Sequence, residues 1–216
     1  MIRYPIPAQE TQTEIEVKNS RFIATVAPVF TVDAARQFIG RIKQTYSDAT
    51  HNVPAFVVGY GTAVTAHSSD DGEPSGTAGR PVLAVVQGSG LGDIAVVVTR
   101  YYGGTKLGTG GLVRAYTEAA QAVLAILPRA EKVTTHLALL ALPYSLFEQV
   151  KLLVIEWNGR ILDETFAADI TLTLQFTLDM FPGFQDALQE LSHGSLQAEI
   201  VETNEATIMP PGDPDY

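Results

Sequence analysis

Ile94–Leu127, IAVVVTRYYGGTKLGTGGLVRAYTEAAQAVLAIL, sets out the order of elements that decides the fold. Ile94 to Thr99 is an uninterrupted apolar run, the pattern of a strand buried on both faces. Leu112 to Leu127 is alanine-rich and ends at Pro128, the pattern of a long helix. Between them, Thr99–Tyr116 holds Gly103, Gly104, Gly108, Gly110 and Gly111 together with Arg100, Lys106 and Arg114. A glycine-rich passage from a buried strand into a helix leaves free backbone N–H groups and a partial positive charge at the helix start.

Working outward, Arg21–Val29 reads as a strand and Asp33–Tyr46 as a helix with Ala34, Phe38, Ile42 and Tyr46 near one face, capped by Thr31 or Asp33. Pro54–Ala66 reads as a hairpin turning near Tyr60. Ser69–Gly79 is a polar loop. Pro81 then opens Val82–Val86, which Gly88-Ser89-Gly90 closes; these flanks favour a short helix, and the β-branched content keeps a strand open. Downstream, Leu137–Leu142 is a strand, Ser145–Trp157 a helix capped by Ser145 and stopped by Asn158-Gly159, and Ile161–Phe166 with Ile170–Thr177 a hairpin. Phe184–Leu191 is a helix ended by Gly194, and Leu196–Val201 the last strand. The order β-α-β-β-α-β is the split pattern of a ferredoxin-like domain. The expectation is an α+β chain of two domains, residues 1–133 and 134–205, with 206–216 a disordered tail that includes Pro210–Tyr216.

With 216 residues, 46% of them hydrophobic, the chain is large enough to bury a core without staples. It has no cysteine, which excludes disulfides, thiolate catalysis and cysteine-ligated metal sites. The start, Met1-Ile2-Arg3-Tyr4-Pro5, lacks a secretory apolar run, and no apolar stretch approaches the length of a spanning helix, so the expectation is a cytoplasmic chain with no membrane partner. The net charge of −10 hides an asymmetry: through Val133 there are 12 Lys+Arg against 11 Asp+Glu, and beyond it 2 against 13. The first part can carry a local basic face, whereas the second should repel phosphate and suits a protein partner.

Two segments are rich in chemistry. Ser69–Pro81, SDDGEPSGTAGRP, gathers Asp70, Asp71, Gly72, Glu73, Pro74, Ser75, Gly76 and Thr77 ahead of Arg80, a composition that suits either a tight turn or close backbone approach to an anion. In Thr99–Tyr116 the natural guest is a phosphate met by Arg100, Lys106, Arg114 and the glycine amides; the alternative is that the glycines serve close helix–strand packing. Tyr101, Tyr102 and Tyr116 are candidates for stacking on bases or for ordinary packing. His51, Asp70, Asp71 and Glu73 are candidates for a metal site or an acid–base pair, although their spacing matches no standard ligand motif. There is no Walker A loop, GxGxxG, GxSxG or HExxH, so no reaction is named and no cofactor is expected.

SDDGEPSGTAGRP, followed by VVVTRYYGGTKLGTGGLVRAY, with Lys18–Ala24 (KNSRFIA) and Ala49-Thr50-His51-Asn52, resembles the IMPACT family over essentially the whole chain. The resemblance implies an amino-terminal domain like the second domain of ribosomal protein S5, a fold shared with an elongation-factor domain and small-molecule kinases, and a ferredoxin-like carboxy-terminal domain similar to another elongation-factor domain. It further implies a regulatory place in translation, as in eukaryotic relatives that act on the activation of an initiation-factor kinase. On these grounds the expected activity is binding to RNA or the ribosome through a glycine-rich phosphate site. The alternatives are an enzyme acting on a small phosphorylated ligand and a protein-interaction module working through the acidic second domain.

Overall fold

The apolar run at Ile94 forms the middle strand of a five-stranded sheet in the computed structural model, which describes residues 3–210. The strand order is β2 (Thr11–Val17), β3 (Ser20–Pro28), β6 (Ile94–Tyr101), β4 (His51–Tyr60) and β5 (Ala63–Ser68), and every neighbouring pair is antiparallel. Val96 and Val98 share one core with Phe22, Val53, Val82 and Tyr116 beneath the helices α2 (Gly79–Gly88) and α3 (Gly108–Ile126). Ala95 and Val97 belong to a second core with Phe38 and Ile42 of α1 (Val32–Thr45). Burial on both faces is why β6 shows no polar alternation. Thr31 caps α1, its hydroxyl accepting the Ala34 N–H at 3.0 Å.

The strand ends fix the helix directions. Ser69 donates its N–H to the Pro54 carbonyl at 3.2 Å, and Gly79 lies so close to Ser69 that a Cβ there would sit 2.7 Å from its carbonyl, so α2 starts beside the His51 end of β4. The chain leaving β6 passes over the β2–β3 turn, where the Gly103 N–H meets Ser20 Oγ at 3.1 Å, and α3 starts there. His51 and Arg100 are register partners, so the two starts lie at the same end of the sheet. At the opposite end Gly92 donates to Pro5 of β1 (Tyr4–Pro7), and Pro128, just past α3, accepts from Ala8. The two helices therefore run side by side in the same direction.

These elements form one of two compact units, built on Tyr4–Glu131; the other is built on Lys132–Thr207. In the second unit the strands run β10 (Glu199–Met209), β7 (Arg129–Leu142), β9 (Ile170–Thr177), β8 (Arg160–Phe166), the order of a ferredoxin-like sheet; β1 also pairs with β7. Val150 and Val154 of α4 (Phe147–Glu156) and Phe184 and Leu188 of α5 (Met180–Leu191) pack on Ala138, Leu140, Leu172 and Leu174. The fold class is α+β with two domains, as the sequence implies.

Several boundaries differ from the sequence reading. Ser145 does not cap α4: it lies within a short 3-10 turn, Tyr144–Leu146, and no side chain caps the helix that follows. The last strand begins at Glu199 and runs on to Met209, so Ala206–Met209 are paired strand rather than tail, while residues 211–216 lie outside the described residues. Helix α3 starts at Gly108, ahead of the expected Leu112, which places Gly108, Gly110 and Gly111 inside its first turn. Among the described residues no helix is long and apolar enough to cross a membrane.

Candidate functional site

The end of the sheet where α2 and α3 begin brings the two glycine-rich segments together. Phe22, Arg100 and His51 are register neighbours on adjacent strands, and Arg100 shares its side of β6 with Val96 and Val98. Glu73 meets this row. Its Oε1 accepts from Arg100 Nη1 at 2.6 Å and from Tyr116 Oη at 2.8 Å, and His51 Nε2 lies 3.8 Å away. Glu73, Arg100 and Tyr116 are buried, at 8%, 6% and 0% exposure. Burial first, and then the neighbouring Glu73 carboxylate, push the Tyr116 phenol far above its ordinary pKa, so Tyr116 stays protonated and donates. The Arg100 guanidinium also lies over Phe22 and Tyr102, at 5.5 and 5.6 Å from the ring centroids.

The rest of the acidic loop is folded on itself. Asp70 accepts the backbone N–H groups of Gly76, Ala78 and Gly79 at 2.8, 3.1 and 2.8 Å. Burial alone would raise the pKa of this carboxyl, but the three N–H groups and the nearby Arg80 outweigh it and hold the group below its usual range. Asp71, at φ 48°, pairs with Lys43 of α1 and accepts the Asn52 N–H at 2.6 Å. Its carbonyl accepts from His51 Nδ1 at 2.8 Å, which places the proton on that nitrogen. Asn52 in turn accepts from Thr99 at 2.7 Å, and Thr77 donates to the Pro74 carbonyl at 2.6 Å. Pro74 and Ser75 are exposed, and Gly72 and Gly76 have positive φ, 86° and 76°.

His51, Asp70, Asp71 and Glu73 thus gather, but their oxygens face donors of the protein rather than one another, and among the described residues no group of three His, Asp or Glu is placed to hold a metal ion. Arg100, expected among the phosphate-facing cations, is turned inward to Glu73, and the physical reason is that Glu73 is itself buried and requires a counter-charge. Of the other three cations, Arg80 on the first turn of α2, Lys106 in the loop before α3 and Arg114 on α3 are all exposed, and none forms an ion pair or hydrogen bond among the described residues. Tyr102 is 46% exposed, and Tyr101 donates to Asp48 at 2.8 Å.

Residues 18–124 match the Impact N-terminal domain, and residues 140–195 match a domain of unknown function, DUF1949. An IMPACT family member of Haemophilus influenzae is 39% identical over 206 residues, which cover 95% of this chain and all of that protein. The chain belongs to the IMPACT family. The family member YigZ of Escherichia coli is 36% identical over 198 residues, covering 91% of this chain and 97% of that one. A crystal structure described as that of a hypothetical protein aligns with a TM-score of 0.63 at 36% identity, covering 94% of this chain and 98% of that one.

Within this IMPACT domain the two long motifs cover the loops that meet at this end of the sheet, without revealing how they interlock. Lys43 and Asn52 were missed as members of the cluster: Lys43 stands in the last turn of an ordinary amphipathic helix, and Asn52, quoted only within the Ala49-Thr50-His51-Asn52 motif, lay ahead of the strand read from Pro54 and was given no role of its own. Tyr116, read as a packing or stacking residue, is the buried donor that ties α3 to Glu73.

Proposed function

We propose that this IMPACT-family chain is a translation-associated RNA- or ribosome-binding protein that holds phosphates at the end of its amino-terminal unit where α2 and α3 begin. The observation that supports this most is the shared direction of the two helices. Their positive ends add at one edge, and Arg80, Lys106 and Arg114 stand there exposed and unpaired among the described residues. In this reading the buried Glu73, Arg100 and Tyr116 and the half-buried His51 do not touch the ligand; they fix the two loops in place.

The glycines add a second support. Gly104 and Gly108 adopt positive φ, 86° and 71°, and a Cβ on Gly103 would fall onto the Asn19 carbonyl, so the backbone itself requires glycine at these three positions. Gly110 has neither reason: its φ is ordinary and a Cβ there would meet nothing within 4 Å. A ligand backbone that approaches the first turn of α3 closely supplies a reason.

The test is fluorescence anisotropy with single-stranded RNA across a salt series. Each of Arg80→Ala, Lys106→Ala and Arg114→Ala should lower the slope of log affinity against log salt by about 0.7. Unchanged affinity and slope in all three would remove the phosphate site.

A further inference from the structure

The solvent side of the parallel pair α2 and α3 carries an apolar groove of about 690 Å³. Pro81 and Val85 of α2 and Val113 and Leu124 of α3 form its walls, and the small residues Ala84 and Gly88 let a further helix come close. Cations stand at both ends: Arg80 and Arg114 are chain neighbours of Pro81 and Val113, and Arg129 lies past the end of α3. All three are exposed and unpaired among the described residues. Glu118 is the only acidic residue on either helix, and it is not part of the lining.

In the other unit, α4 carries the complementary surface. Leu152 and Ile155, each 67% exposed, are the most solvent-exposed large apolar side chains among the described residues. Three positions apart, they share one helix face, opposite Val150 and Val154, which enter the core. Glu148 and Glu156 stand toward the two ends of α4 and are exposed, and its last turn holds no basic residue.

We infer that α4 of a second copy of this chain docks in the groove, antiparallel to α2 and α3, with Leu152 and Ile155 entering between them. Length, polarity and charge agree. The ten residues of α4 rise about 15 Å, and the groove wall from Val113 to Ala125 about 18 Å. The positive ends of α2 and α3 coincide, so an antiparallel third helix brings its negative end to them. That orientation sets Glu156 beside Arg80 and Arg114, and Glu148 beside Arg129. Formal charge favours unlike units as partners: 12 Lys+Arg against 11 Asp+Glu through Val133, and 2 against 13 beyond it, so two acidic units repel one another. One helix in a groove is a small interface, which places the dissociation constant in the micromolar range.

Because the chain has no cysteine, Gln149→Cys carries a single nitroxide at an exposed position of α4. Mixed with methyl-labelled native chain, the unlabelled, nitroxide-bearing chain should broaden the Val85 and Val113 signals, more so as concentration rises, and sedimentation equilibrium should show self-association. Leu152→Glu should weaken that association by at least about tenfold, and Arg129→Glu by about tenfold. Pairing Arg129→Glu with Glu148→Lys should recover most of the loss. None of these residues belongs to the phosphate edge, so the outcome is independent of RNA binding. The inference is overturned if the chain stays monomeric up to about 1 mM, if the methyls stay sharp in the mixture, if Leu152→Glu associates like the native chain, or if the paired reversal recovers nothing. Unchanged circular dichroism in the variants separates loss of docking from loss of fold.

Discussion

Glu73 Oε1 receives both Arg100 at 2.6 Å and Tyr116 at 2.8 Å, so one oxygen joins the acidic loop to a strand end and to a helix. Removing Arg100 leaves a buried carboxylate without a counter-charge, a change that costs about 3–5 kcal/mol. Arg100→Ala should therefore lower the urea midpoint markedly, and the double variant Arg100→Ala/Glu73→Ala should lose less than the two single losses added. Additive losses in urea unfolding would mean that the pair is not coupled. Asp70 permits a pH test. Its carboxyl is held below the ordinary value of 3.8, so the stability it contributes is complete above about pH 4 and fades as acid protonates the folded state. The melting-temperature gap between the native chain and Asp70→Asn should be wide at about pH 6 and narrow by about pH 3. A gap that widens in acid would contradict the three backbone N–H contacts.

At the scale of elements, the first turn of α3 is where packing and binding make opposite demands. Alanine is a better helix former than glycine by about 1 kcal/mol, and a Cβ on Gly110 meets nothing within 4 Å. Gly110→Ala should raise the melting temperature and at the same time weaken RNA binding. A rise in stability with full binding would make Gly110 incidental. This turn also shows why sequence periodicity stopped short. Glycines carry no apolar pattern, so the helix became legible only at Leu112, although Gly108 already begins it. The same holds for α2, which starts at Gly79, ahead of Pro81. Apolar periodicity located α1 and β9 well because each buries a regular face, and β6 was legible as an uninterrupted apolar run because both its faces are buried. The strands β1 and β2 went unread, being short in one case and half exposed in the other. Ser145 was a plausible cap by residue type, but the 3-10 turn carries it past the position a cap must hold.

Across the whole molecule, charge distribution separates the units more plainly than any motif. The cluster was legible only as two motifs in sequence, because Lys43, His51, Glu73, Arg100 and Tyr116 meet through strand register and helix direction, which no local window contains. The asymmetry in formal charge, by contrast, follows from counting residues. Beyond Val133 the chain holds only Lys151 and Arg160 as cations, against 13 acidic residues. A ligand held by phosphate contacts has little to gain there, since each contact must release counterions through a cation. Lys151→Ala/Arg160→Ala should therefore leave the salt slope of RNA binding where it was. Arg80→Ala/Lys106→Ala/Arg114→Ala should lower the slope by about 2, with a melting temperature close to that of the native chain, because all three side chains are exposed and unpaired among the described residues. If the slope instead falls with the carboxy-terminal pair, the phosphate contacts lie on the acidic unit and the helix starts of the amino-terminal unit are not the binding edge.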